Sequence, residues 1–402
     1  MNAEIQEKID AIMAMVKATI EKRDRGESLA PVERIILAAT QNDPDRIPTG
    51  TFFTDSIANF YGHTCRQVES DPQLHAELIM RWYSDFDMEF VCEGIDTMTS
   101  ELHAMGLVER KCPENVPADI STRKFDALSD DEMLGEWERA VKRFDPESDG
   151  RLPLRLKLYE LLVEKTAPQG YPVIAAPSSP FAQAVLAMGY KRAVLTMRNK
   201  PQVFHTAMEL QLEANMKWYR ALGSRGVHGF ICIDAWNSVP NFRKEQLFEF
   251  EKPYVKRLIG SLMPAPCIHF YWGLRHCGPS NGAGPGGWVE FLEKSAETGT
   301  FCVTNLAPDY YTAPSDDLRL FRETANRLGK SYIVGIKDEL LFRGTGEQIR
   351  EEVRRVIAGL SPCNGGCFVV PNSIPVGTPA GNVKAFLAAL HEFGTFPGRG
   401  LK

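Results

Sequence analysis

PCIHFYW, residues 266–272, opens the stretch that decides the fold. It is an apolar, β-prone run that ends in aromatic and polar side chains ahead of a glycine-rich loop, within HFYWGLRHCGPSNGAGPGG (269–287). The arrangement returns three times before Gly394: FCV (301–303) runs into Thr304 and Asn305, YIVGI (332–336) into Lys337 and Asp338, and CFVVP (367–371) into Asn372. Amphipathic helical periodicity separates these runs. Short strands alternating with such helices predict parallel β/α units. In a closed parallel barrel, the residues past each strand's C-terminal end converge on one mouth, so the polar tips outline a candidate site.

Working outward, TGTFF (49–53) and MEFVCEG (88–94, with Glu93 at its tip) read as strands. So do YPVIAAP (171–177), leading into Ser178, and HGFICIDAWN (228–237), ending in Asp234, Trp236 and Asn237. Seven or eight strands result, most followed by a helix; one such helix is expected at about 201–222. Ser129 with Glu132 and Thr345 with Gln348 form capping boxes that start two helices. Thr378-Pro379 is expected to open the last helix with a cap and a first-turn proline. The predicted fold is α/β, a (β/α)8 TIM barrel over 46–402 with an N-terminal helical arm over 1–45. Residues from about 111 to 166, rich in charge and proline, lack strand character and read as a helical insertion. In the arm, Ile5, Ile9, Ile12, Met13, Val16 and Ile20 recur at helical spacing. That face packs on the barrel or on a second subunit, so a homodimer is one expectation.

With 402 residues, 44% hydrophobic and 24% charged, the chain has an ordinary globular composition. A net charge of −6 disfavours nucleic acid or an anionic membrane as the main partner. No apolar run approaches the roughly 18 residues of a membrane helix, and the early acids of MNAEIQEKID do not resemble a signal peptide. Nine cysteines, an odd number without framework spacing, predict reduced thiols and a cytoplasmic location.

Among the tips, His269, His276 and Cys277 are candidate metal ligands, since imidazole and thiolate suit zinc. Their spacing is not that of a zinc finger, so other strands would complete any site; alternatively His269 is a packed barrel residue and Cys277 a buried thiol. Asp234 is a candidate general base, N–H acceptor or metal ligand, or else a helix cap. Glu93, Lys337 and Asp338 are further charged candidates. Phe52, Phe53, Trp236, Tyr271 and Trp272 could wall a ligand pocket, or simply pack. Ser178, Asn237, Asn305 and Asn372 add polar contacts at the mouth. Cys363 and Cys367 read as inert.

The order of DRIPTGTFF (45–53), the PF…GY pattern of 177–190, Met197 with Pro201, GVHGFICIDAW (226–236), FEFEKPYVKRLI (248–259) and the closing GTGEQIREEVRRVIAGL…GGCFVVPNSIPVGTPAGNVKAFLAALHEFG (344–394) resembles the uroporphyrinogen decarboxylase superfamily. That superfamily includes the decarboxylase of haem synthesis and cobamide-dependent methyltransferases. The resemblance covers about 46–394 and implies a barrel with its site at the C-terminal mouth. Two departures stand out. Where decarboxylases carry an arginine-rich clamp for the substrate's carboxylates, this chain reads TFFTDSIANFYG (51–62), without arginine. Where thiol-activating methyltransferases hold zinc with a His-x-Cys pair and a late cysteine, this chain has His269, Tyr271 and Asn372.

The resemblance therefore implies a divergent member, first of all a methyltransferase of O- or N-demethylase type. It would move a methyl group between a small methylated substrate and a cobamide. The corrinoid would sit on a partner protein, because no DxHxxG carrier motif is present. His269 would act as ligand or acid, Asp234 as the opposing carboxylate, with Glu93 or Cys277 as helpers and zinc assisting the leaving group. The alternatives are a cofactor-free decarboxylase of a tetrapyrrole-like or small aromatic acid, with Asp234 stabilising a protonated ring and His269 or Tyr271 donating the proton, and a non-catalytic tetrapyrrole- or corrinoid-binding barrel.

Overall fold

Strand β1 (Gly50–Thr51) pairs in parallel with β2 (Phe90–Val91), after which the chain leaves the barrel for an antiparallel hairpin of β3 (Val108–Lys111) and β4 (Asp119–Arg123). The parallel pattern resumes with β5 (Ile174–Ala175), β6 (Gly229–Asp234) and β7 (Cys267–Tyr271), which form one ladder. Then β8 (Cys302–Asn305), β9 (Ser331–Ile336) and β10 (Cys367–Pro371) form another. The computed structural model describes residues 3–52, 55–94, 98–234, 241–271, 286–305, 315–363, 365–371 and 373–396.

Single hydrogen bonds join the ladders. Phe301 N donates to Cys267 O at 3.4 Å, beside β7 and β8, and Val369 N to Pro48 O at 3.4 Å, beside β10 and β1. Among the described residues no ladder links β2 to β5, so the hydrogen-bonded ring is not closed there. The architecture is of TIM-barrel type, with crossover helices covering the outside.

Period-two alternation sorts each strand into two faces. One face fills the lumen: Phe52, Ile231, Ile233, Ile268, Phe270 and Phe368 join one apolar cluster, and the Phe52 and Phe270 rings meet edge-on at 4.9 Å. The other face, including Phe230, Cys232 and Cys267, packs in a second cluster with the helices. Phe52 is therefore one of the side chains that fill the lumen.

The arm comprises helices Ala3–Asp24 and Pro31–Ala39. The second is tied to the bottom of the barrel. Ala38 joins the lumen cluster, Ser331 Oγ donates to Ala38 O at 2.8 Å, and Arg34 bridges Asp45 at 2.6 Å and Glu89 at 2.7 Å.

The stretch expected to be purely helical differs from that reading. The β3–β4 hairpin enters it, because Glu109, Lys111, Asp119 and Thr122 give exposed strands whose pattern is mostly polar and carries no apolar period. Its helices are Asp130–Arg143 and Leu152–Thr166. Both capping boxes form, at Ser129 and Thr345. Thr378 does not cap the last helix: that helix is Ala380–Gly394 with Pro379 at its N-cap, and Thr378 Oγ donates to Pro375 O at 2.8 Å.

Candidate functional site

Asp234, Glu251 and His269 bring one donor atom each within 4.8 Å of one another, and all three are buried. Asp234 is the last residue of β6 and His269 the middle residue of β7. Glu251 sits at the junction of helices Lys244–Phe250 and Lys252–Leu262, in the crossover between those strands. The parallel register sets Cys232 opposite His269 and Asp234 opposite Tyr271, so Asp234 and His269 are diagonal neighbours. Both alternate with lumen residues, Ile233 on one strand and Ile268 and Phe270 on the other. The cluster thus lies behind the strands, between sheet and helices. Asp234 and His269 do come together as expected, though on the face turned away from the lumen.

Each member has a fixed neighbour. His269 Nε2 lies 2.7 Å from Glu251 Oε1, and Lys252 Nζ lies 3.1 Å from Glu251 Oε2. Lys252 itself is 6% exposed and rests over the Phe291 ring at 4.3 Å. Ser179 Oγ donates to Asp234 Oδ2 at 2.6 Å while accepting from Ala182 N at 2.9 Å, so one hydroxyl caps helix Pro180–Met188 and holds the aspartate. The backbone N–H of His269 donates to Thr300 Oγ1 at 2.9 Å.

Burial opposes ionisation of Glu251, but the Lys252 ammonium and the His269 imidazole outweigh it and hold the carboxyl below the usual carboxylate range. Burial keeps His269 below its ordinary value of 6.5 despite the neighbouring carboxylate. A neutral imidazole beside anionic carboxylates is the form in which these groups ligate a divalent metal. Both Glu251 oxygens are buried without a directed hydrogen bond, although the Lys252 ammonium and the His269 ring nitrogen stand 3.1 and 2.7 Å away. A nitrogen and two carboxylates fit zinc or a comparable divalent ion. Glu251 and Ser179 were not singled out in the sequence. The Glu-Lys-Pro step at 251–253, two charges between apolar helices, was the available signal.

The other candidates separate. Glu93 is 2% exposed and bound by the Arg155 guanidinium, whose Nε is 2.9 Å away and whose Nη2 also contacts it. Arg155 also meets Glu101 at 2.9 Å and Ser100 Oγ at 3.0 Å. Glu93 thus belongs to a buried ion-pair network on the far side of β2. Ser178 is buried, its carbonyl accepting from Asn215 Nδ2 at 2.8 Å. Lys337 stands at the N-cap position of the short helix Asp338–Arg343 without a side-chain cap bond, and Asp338 accepts from Ser373 Oγ at 2.8 Å. Phe53, Trp236, Asn237, Trp272, His276, Cys277 and Asn372 lie outside the described residues, as do the side chains of Tyr271 and Asn305. Eight cysteines in the described residues are free thiols.

Among the described residues, the buried arginines Arg34, Arg155 and Arg322 are each engaged by carboxylates or carbonyls. No helix is long and apolar enough to cross a membrane among the described residues.

Fold and cluster together define an α/β-barrel protein of enzyme type with a buried polar centre between two adjacent strands and the helices that cover them. The chain belongs to the uroporphyrinogen decarboxylase (URO-D) family, whose model matches residues 30–393. The uroporphyrinogen decarboxylase of Thermodesulfovibrio yellowstonii is 27% identical over 306 residues, 73% of this chain and 76% of that protein. That of Anaeromyxobacter dehalogenans is 25% identical over 231 residues, 56% of this chain and 59% of the relative. Among solved structures, a methyltransferase from Methanosarcina mazei superposes with a TM-score of 0.70 at 18% identity, covering 91% of this chain and 99% of that one. This last likeness is one of fold.

Proposed function

We propose that this chain is a methyltransferase that moves a methyl group between a small methylated molecule and a cobamide carried by a separate protein. A divalent metal, zinc first, would be held by Asp234, Glu251 and His269. The observation that carries the reading is this buried set of one imidazole and two carboxylates, which suits a metal that simple decarboxylation does not require. The arginine-free segment after β1 supports it, because an eight-carboxylate tetrapyrrole would lack counter-charges there.

When bound, such a metal supplies Lewis acidity towards the heteroatom that carries the methyl group. The chain's own residues present His269 neutral, keep Glu251 anionic through Lys252, and fix Asp234 through Ser179. Burial of the cluster excludes bulk water, which strengthens every charge interaction within it.

The test is metal content of anaerobically purified protein, wild type and His269→Ala, followed by methyl transfer from methylated small molecules to cob(I)alamin. About one metal per chain, lost in the variant, with methylcobalamin formed only by the wild type, supports the reading. A second reading, cofactor-free decarboxylation of a small aromatic or pyrrolic acid, is favoured by the position of the cluster behind the strands, which leaves the described part of the lumen mainly apolar. Metal-free wild type that releases CO2 from such an acid would decide for it.

A further inference from the structure

Cys363 and Cys367 read as inert in the sequence, but the structure gives these two thiols unlike surroundings at the bottom of the barrel. Cys363 follows helix Gly346–Gly359, and Cys367 is the first residue of β10. Between them Gly365 and Gly366 both adopt positive φ, 33° and 75°. That conformation turns the chain sharply and sets the Cys363 thiol against that of Cys367. The turn is pinned on both sides: Gly365 N donates to Asp43 Oδ1 at 2.5 Å, and Gly366 O accepts from Tyr332 N at 2.7 Å. Cys363 is partly exposed, whereas Cys367 is buried.

The Leu360 carbonyl ties the outer thiol to a cation. It accepts from Cys363 Sγ at 3.5 Å and from Arg322 Nη1 at 3.2 Å. The Cys367 thiol first, and then the Arg322 guanidinium, hold the Cys363 thiol below its ordinary range, against burial and the Asp43 carboxylate. Burial does the reverse to Cys367 and keeps it a neutral thiol. Tyr332 lies directly across the ladder from Cys367. Its hydroxyl is buried with no close hydrogen-bond partner, only the Cys367 sulfur beside it. An orphan donor of this kind is costly to bury and is placed to meet an oxygen carried on sulfur.

We propose that Cys363 and Cys367 form a modification site for hydroperoxides, in which Cys363 is oxidised and Cys367 closes the product into an intramolecular disulfide. The Cys363 thiolate attacks one peroxide oxygen, the O–O bond breaks, and the departing hydroxide takes up the proton shed by the thiol. Cys363 is left as a sulfenic acid. The Cys367 sulfur then attacks the Cys363 sulfur: S–S forms, S–O breaks, and the Cys367 proton leaves with the sulfenic oxygen as water. Two electrons pass from the dithiol to the peroxide. A neutral inner thiol suits this second step because it brings the proton that the leaving oxygen needs, and the Tyr332 hydroxyl donates to that oxygen as it departs. The site is independent of the metal cluster, which lies behind β6 and β7.

The experiment treats the reduced full chain, as wild type, Cys363→Ser, Cys367→Ser and Tyr332→Phe, with about one equivalent of hydrogen peroxide, then maps every cysteine by alkylation and mass spectrometry. Cys112, also partly exposed but facing the Glu69 carboxylate at 3.7 Å, is the internal comparison. Wild type should lose two of its nine thiols, both in one peptide bridging 363 and 367, and dithiothreitol should restore them. Cys363→Ser should keep Cys367 reduced. Cys367→Ser should accumulate a Cys363 sulfenic acid that dimedone traps, and Tyr332→Phe should do so in passing. Oxidation of wild type that spares Cys363, that reaches Cys112 as fast, or that leaves a Cys363 sulfenic acid unclosed overturns the proposal. The wild-type map decides alone where a variant does not fold.

Discussion

His75 offers a test of how the top of β2 is built. It lies in helix Pro72–Asp85, is 4% exposed, and places Nε2 3.2 Å from Glu93 O. Burial first, and then the Arg151 guanidinium, push it down from 6.5 to about 3, against the pull of that carbonyl. The folded chain therefore keeps His75 neutral in mild acid, whereas the unfolded chain protonates it near 6.5. Between those values the unfolded state binds more protons, so the contribution is fully present above the unfolded value and is lost as pH falls towards the folded one. At about pH 5.0, 1.5 units below the unfolded value, the loss is about 2 kcal/mol at 1.36 kcal/mol per unit. The comparison is wild type against His75→Gln, whose amide can still donate to the Glu93 carbonyl and does not titrate. Urea unfolding at about pH 7.5 and about pH 5.0 should show the wild type losing about 2 kcal/mol more than the variant over that interval. Equal losses in the two proteins would refute the reasoning.

Arg155→Met leaves Glu93 and Glu101 buried without their cation. A cost of about 3–5 kcal/mol is expected in urea unfolding, and an unchanged midpoint would mean that the network is solvated. Phe52→Ala opens the lumen beside Phe90 and Phe270, with about 3–5 kcal/mol lost in thermal or urea melts and metal stoichiometry unchanged, since the cluster lies on the opposite face. Glu251→Gln keeps the shape but removes a ligating charge; metal content by mass spectrometry should fall well below one per chain, and full occupancy would remove Glu251 from the site.

The barrel was legible because each late strand is short, apolar and followed by a helix of clear period. The β3–β4 hairpin was not, since its exposed strands are mostly polar and carry no hydrophobic alternation. Asp234 and His269 could be picked out as polar tips of apolar runs. Their face could not, because it depends on which parity of β6 and β7 points inward, and Ile231, Ile233, Ile268 and Phe270 are as apolar as the residues packed on the helices. Glu251 escaped for another reason. It is brought to β7 by the crossover helices, and the Glu-Lys-Pro step between two apolar helices was its one local signal. Glu93 misled because a carboxylate at a strand tip looks the same whether it faces a ligand or Arg155, sixty-two residues away.

The register of β6 against β7 has a further reach. Positions 232, 234, 269 and 271 form a two-by-two lattice, Cys232 opposite His269 and Asp234 opposite Tyr271. Strand pairing holds all four sockets at fixed separations whatever side chains they carry. A thiol already occupies one of them, directly across from the imidazole. Two of the three polar residues of the cluster are thus written in single letters on two neighbouring strands. A lineage could exchange oxygen for sulfur at these positions, and so gain or lose the metal affinity proposed here, by point replacement and with no change of backbone.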